Sequence, residues 1–128
     1  MYLLIGGDET NTKVNNPVSS LTQYYHDEKS EHLIEFIGEI SKIGFGCFAS
    51  NEGVLEVEIS ENITDIGNKC FVHCINLTKC NLYWIGDNIV DYTKLYSNDD
   101  TIYVIPKGET DNYIMKGYPS NNLIERGG

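Results

Sequence analysis

The residues of this chain whose types and spacing could do chemistry are four cysteines, Cys47, Cys70, Cys74 and Cys80, with His73 set among them. A Cys-x-x-x-Cys pair with a third thiol and an imidazole nearby suggests either a structural metal or a thiol nucleophile. Structural zinc needs two short-spaced ligand pairs separated by a loop, and only the 70–74 pair exists here. A nucleophilic thiol needs a base that a third group orients, and the remaining histidines, His26 and His32, lie far off in sequence. Small thiols buried as hydrophobes account for the pattern better. The expectation is therefore a non-enzymatic chain with no catalytic residue, no metal and no cofactor. A thiol-dependent enzyme using Cys74 and His73 is the reading this sets aside.

Aromatic residues point to recognition instead. Nine Tyr and one Trp stand on a short chain, and Tyr83, Trp84, Tyr92 and Tyr96 are the candidate interaction surface. Such side chains give large, rigid contact area with a polar tip. The other reading left open is that several of them close the end of a thin core. Minor motifs carry less. Asn62-Ile-Thr64 and Asn76-Leu-Thr78 match a glycosylation pattern, Asn98-Asp-Asp100 lacks the spaced oxygens of a calcium loop, and Arg126-Gly-Gly128 reads as a frayed end.

Composition bounds the class. With 128 residues the chain is a single domain at most. Its 9 Lys plus Arg against 19 Asp plus Glu give a net charge of −10, which repels phosphate backbones and anionic lipid alike. Nucleic acid is thus excluded as a partner. No apolar run approaches the roughly 18 residues that span a bilayer, so no membrane insertion is expected. Met1-Tyr-Leu-Leu-Ile has no preceding Lys or Arg and is followed by an acidic pair, so it does not read as a secretory signal. A chain made in the cytoplasm without a signal, and from there incorporated in a virion or other particle, is expected to hold its thiols reduced.

What positions these residues is a repeat. Residues 37–59 laid over 60–82 match without a gap at an offset of 23. Ile40 falls on Ile63, Ile43 on Ile66, Gly44 on Gly67, Cys47 on Cys70 and Phe48 on Phe71. Val54, Val57 and Ile59 meet Leu77, Cys80 and Leu82. The last two of each set alternate with polar residues, as in a half-buried strand. Ile63-Thr-Asp-Ile-Gly67 then turns the chain, and Lys69-Cys-Phe-Val72 forms a short helical turn or 3₁₀ segment. One such unit cannot bury its own apolar face, whereas stacked units bury each other's. If Cys47 and Cys70 stack, a disulfide between them is a further possibility.

One period earlier, Ile34 and Phe36 take the places of Val57 and Ile59. One period later the match decays, with Val90 for Gly67 and Lys94 for Phe71. This divides the chain into a polar N-terminal arm or loose hairpin over 1–31, a repeat domain over 32–115, and a tail over 116–128. Thr101-Ile-Tyr-Val-Ile-Pro106 reads as a last strand, and 111–115 as one closing helical turn.

Val54-Leu-Glu-Val-Glu-Ile59, Ile63-Thr-Asp-Ile-Gly67 and Lys69-Cys-Phe-Val-His-Cys74 with Leu77 resemble the BspA-type leucine-rich repeat, whose unit is about 23 residues long. The likeness covers residues 32–115. It departs from the family pattern where Ser60 and Tyr83 replace the proline after each strand and where cysteine replaces alanine before both phenylalanines. The resemblance implies a mainly β, right-handed solenoid fragment with short helical turns and a recognition surface.

Two clear units are few for a stable array, so assembly with neighbouring subunits, as a homo- or hetero-oligomer, is expected. The leading expectation is an accessory structural protein of a large particle such as a bacteriophage virion. The alternative is a bacterial cell-surface adhesion or host-interaction module.

Overall fold

The computed structural model describes the backbone of residues 2–7, 20–21 and 33–37, and residues 42–127 with their side chains. Among these residues strands dominate and helices are short. The strands before the midpoint are β1 (Tyr2–Gly7), β2 (Ser20–Leu21), β3 (Leu33–Ile37), β4 (Lys42–Ile43), β5 (Glu56–Ile59) and β6 (Asp65–Ile66). There follow β7 (Lys79–Leu82), α1 (Tyr92–Leu95), β8 (Ile102–Ile105), α2 (Thr110–Met115) and β9 (Leu123–Glu125). They pair as a larger sheet in the order β3-β1-β5-β7-β8-β9 and a smaller one, β2-β4-β6. Every pairing is parallel.

The 23-residue period is the register of these sheets. Val57 lies beside Cys80 and Cys80 beside Tyr103, and Ile43 lies beside Ile66. The step therefore persists from β7 to β8, where the side-chain identities have already gone. Strand composition explains the burial. In Glu-Val-Glu-Ile, Lys-Cys-Asn-Leu and Ile-Tyr-Val-Ile every second residue is buried, because successive side chains on a strand leave opposite faces. Ile43, Cys47, Phe48, Val54, Val57, Ile59, Ile63, Ile66, Cys70, Phe71, Leu77 and Leu82 join one buried cluster. Ile40 lies outside the described residues. Phe48 and Phe71 stack face to face, 5.4 Å apart and 5° from parallel, so the repeated residue packs on its own copy.

Two repeated features of the backbone hold the turns. A Cβ on Gly67 would sit 2.3 Å from the Phe45 nitrogen and 2.5 Å from its Cα, so only glycine lets adjacent repeats approach this closely. Gly46 and Lys69, equivalent positions, both have φ of 60°, and Ser50 and His73 repeat the same left-handed turn at 57° and 60°.

Both flanks differ from expectation. Of the stretch read as an arm, Tyr2–Gly7 is a strand inside the larger sheet, so Leu3 stands between Ile34 and Val57, and Ser20–Leu21 pairs with β4. Paired on both edges, by β3 and by β5, Tyr2–Gly7 is an interior strand of that sheet. At the other end, the strand at 102–105 is not the last, because β9 pairs with β8 through Val104 and Ile124. Nor is Arg126 frayed. Its N–H donates to the Ile105 carbonyl at 2.7 Å, and its guanidinium donates to the carbonyls of Leu82 and Val104 at 3.0 and 3.2 Å.

Candidate interaction surface

The outward rows of the larger sheet follow from its register. Glu56, Lys79 and Ile102 form one row, and Glu58, Asn81, Val104 and Ile124 the next. In β5, β7 and β8 the residues alternating with these are buried, and Ile124 continues the second row by pairing with Val104, so these side chains make the outer face. The face is graded. From β5 onward its first stripe is acidic, the β7 stripe is polar, and β8 and β9 are apolar, ending on Ile124, which is 53% exposed.

Polar contacts fix the acidic stripe. Lys79 Nζ lies 3.9 Å from Glu56 Oε1, and Asn81 Nδ2 donates to the other oxygen of Glu56 at 3.5 Å. Tyr83 donates its hydroxyl to Glu58, and the Arg126 guanidinium lies over the Tyr83 ring at 4.1 Å. Burial and the Glu58 acceptor push the Tyr83 hydroxyl up to about 12, so it remains a donor throughout the physiological range. Arg126 thus ties β7, β8 and the Tyr83–Glu58 pair into one rigid margin, with a cation–π contact of about 0.5–2 kcal/mol.

Of the four aromatic residues proposed for a presented surface, Tyr83 lies on this face and the others do not. Trp84 is corrected to a core residue. It is 1% exposed, its indole N–H donates to the Ile63 carbonyl at 2.7 Å, and its own carbonyl accepts from Tyr113 at 2.8 Å. The alternation of β7 continues past Leu82, which turns Tyr83 outward and Trp84 inward. Tyr92 is half-buried within a tyrosine cluster, with ring centroids 5.5 Å from Tyr103 and 5.1 Å from Tyr118. Tyr96 packs edge-on against Tyr92 and is 39% exposed, with its hydroxyl on Asp99 at 3.3 Å. Tyr92 helps close the core, in line with the second of the two readings of the aromatic content, while Tyr96 stays exposed beside it.

Sequence reasoning missed Glu58, Asn81, Val104 and Ile124. Their signal was present, as the residues between buried positions at a constant 23-residue step, but Ile124 follows Val104 in register only because β9 closes a shorter final turn.

All four cysteines are buried, and no disulfide joins them, Cys47 and Cys70 included. Burial pushes Cys47 and Cys74 up to about 11 and raises Cys70 and Cys80 as well. The thiolate is therefore suppressed, and with it nucleophilic and ligating character. Cys74 Sγ donates to the Phe48 carbonyl at 3.0 Å, whereas His73 is exposed on its left-handed turn. No group of three His, Cys, Asp or Glu among the described residues could hold a metal ion. Among those residues no helix is long and apolar enough to cross a membrane.

Parallel strands stacked at a 23-residue step from β5 to β8, with an identical buried phenylalanine in successive turns, define a repeat protein. The sequence pattern described as the BspA type leucine rich repeat region matches residues 10–100 in six copies, and the chain belongs to that family. The match begins well before residue 32, in keeping with the pairing of Ser20–Leu21 to β4. No curated protein and no solved structure matches the chain. Repeats of this family are in general non-enzymatic modules for protein–protein interaction.

Proposed function

We propose that this protein is a binding module whose repeats wind as a short right-handed solenoid and whose outer sheet face docks a partner protein at a cell surface. The observation that supports it is the graded outer face, with Glu58 and Tyr83 held rigidly by Arg126 on one side and exposed Ile124 on the other. Interfaces of this make-up place apolar contact beside oriented polar groups. Family membership is compatible with adhesion or host interaction, whereas neither the fold nor the family supports the expected virion component.

The test immobilises the chain and its Glu58→Lys and Ile124→Lys variants over a detergent extract of surface-labelled cells. A Glu61→Lys variant, altered on an exposed turn away from the face, is the control. A labelled protein retained by the parent chain and by the control, but lost by both face variants, supports the reading. Retention that ignores the face substitutions, or none at all, overturns it.

A further inference from the structure

The smaller sheet stops one repeat before the larger one does. β8 extends the larger sheet at the 23-residue step, but among the described residues no strand lies beyond β6. The residues that step would place there belong instead to a 3₁₀ turn, Gly86–Asn88, and to Ile89, which is 3% exposed and drops into the core. Between β6 and residues 87–91 there remains a cleft of about 310 Å³.

Register decides what β6 presents to it. The Gly67 N–H donates to the Ile43 carbonyl at 2.7 Å, and in parallel pairing each strand residue turns both its backbone groups to one side. The N–H and C=O of Ile66 therefore point away from β4, into the cleft it lines. Ile66 is 2% exposed, and neither group has a hydrogen-bond partner among the described residues. A shielded amide left unpaired is costly, and a single residue of an added strand satisfies donor and acceptor together.

Charge indicates the strand. Asp87 and Asp91 are exposed at the rim, and Asp65 is 3.8 Å from Lys42. Lys94 and Lys116 line the same cleft but are half-buried. The net charge of −10 attracts a cationic partner and repels a second copy of this chain. We propose that this cleft binds an extended segment of another protein, alternating apolar and basic residues, whose backbone pairs with Ile66 and whose Lys or Arg meets Asp87 and Asp91. The site does not use Glu58, Tyr83 or Ile124, so it stands or falls apart from the outer face.

The experiment titrates the whole chain with a short peptide alternating valine and lysine, followed by fluorescence anisotropy and amide NMR. The proposal expects binding that shifts and protects the Ile66 amide. Affinity should fall about tenfold or more when alternate peptide amides are N-methylated, and equally in the Asp87→Asn, Asp91→Asn double variant, whose exposed sites leave folding intact. Equal binding of the N-methylated peptide would mean adsorption by charge alone and would overturn it. So would equal or tighter binding of a valine–glutamate peptide, an unmoved Ile66 amide, or no binding.

Discussion

Phe48 and Phe71 of the regular repeats and Tyr113 and Tyr118 of the closing region are all buried rings in one core, yet they are held differently. Phe48 rests flat on Phe71, its own equivalent one period away, and needs nothing but area. Tyr113 and Tyr118 meet edge to face, 5.0 Å apart, and each sends its hydroxyl to one backbone acceptor, Trp84 O and Val90 O, at 2.8 Å. Asparagine does the same at the turns. Asn98 Nδ2 reaches the Cys74 carbonyl at 3.0 Å, and Asn122 Nδ2 reaches those of Asp99 and Thr101 at 2.8 and 2.9 Å. Inside the array successive turns also pair backbone to backbone, as Phe48 N with Cys70 O and Ser50 N with Val72 O, so repetition itself satisfies many of their groups. Where the turns change shape, the backbone must be met by side chains chosen one at a time.

If that contrast is right, the largest loss should come from the stack. Phe71→Ala removes one ring and leaves a cavity against the other, at a cost of about 3–5 kcal/mol. Urea unfolding followed by circular dichroism measures it. A loss below about 1.5 kcal/mol would mean that the array is held by its ends and that stacking is incidental.

A smaller and different loss is expected in the closing region. Tyr113→Phe keeps the ring but strands the buried Trp84 carbonyl, for about 1–3 kcal/mol. Tyr118→Phe does likewise at Val90. Urea unfolding of each variant checks this. Two losses near zero would reduce the hydroxyls to ornaments of a purely apolar cap and erase the distinction drawn above.

The same contrast explains how much could be read beforehand. Ile43, Cys47 and Phe48 announce themselves because equivalent environments demand equivalent residues, so comparing the chain with itself is enough. Cys80 and Tyr103 share a row and yet look unrelated, because Tyr103 packs among the rings of Tyr92 and Tyr118 in the closing region. Trp84 was misplaced for want of one step of alternation. Ile124 was invisible because its row is set by a final turn shorter than the period. β1 lay beyond any periodic reading, since it enters the sheet between β3 and β5 from a remote part of the chain. The outer face was legible only in its spacing, because exposed positions are free to differ from one repeat to the next.

The smallest effect tests the repeat against itself. Gly46 and Lys69 occupy the same left-handed turn in successive repeats, both at φ 60°, but only one is glycine. An L side chain in that region costs roughly 1–2 kcal/mol, and glycine gives back about 0.5–1 kcal/mol of this through the freedom of its unfolded chain. Lys69 is exposed and makes no ion pair among the described residues whose loss would offset the relief. Lys69→Gly should therefore stabilise the protein by up to about 1 kcal/mol. Gly46→Ala should destabilise it by a similar amount, although the added Cβ meets nothing nearer than the Ala49 Cβ at 4.0 Å. Opposite signs in thermal unfolding would show that the two turns are one backbone device written with different residues. The same sign for both would mean that the neighbouring repeat, present in a different form on each side, governs the turn more than its own conformation does.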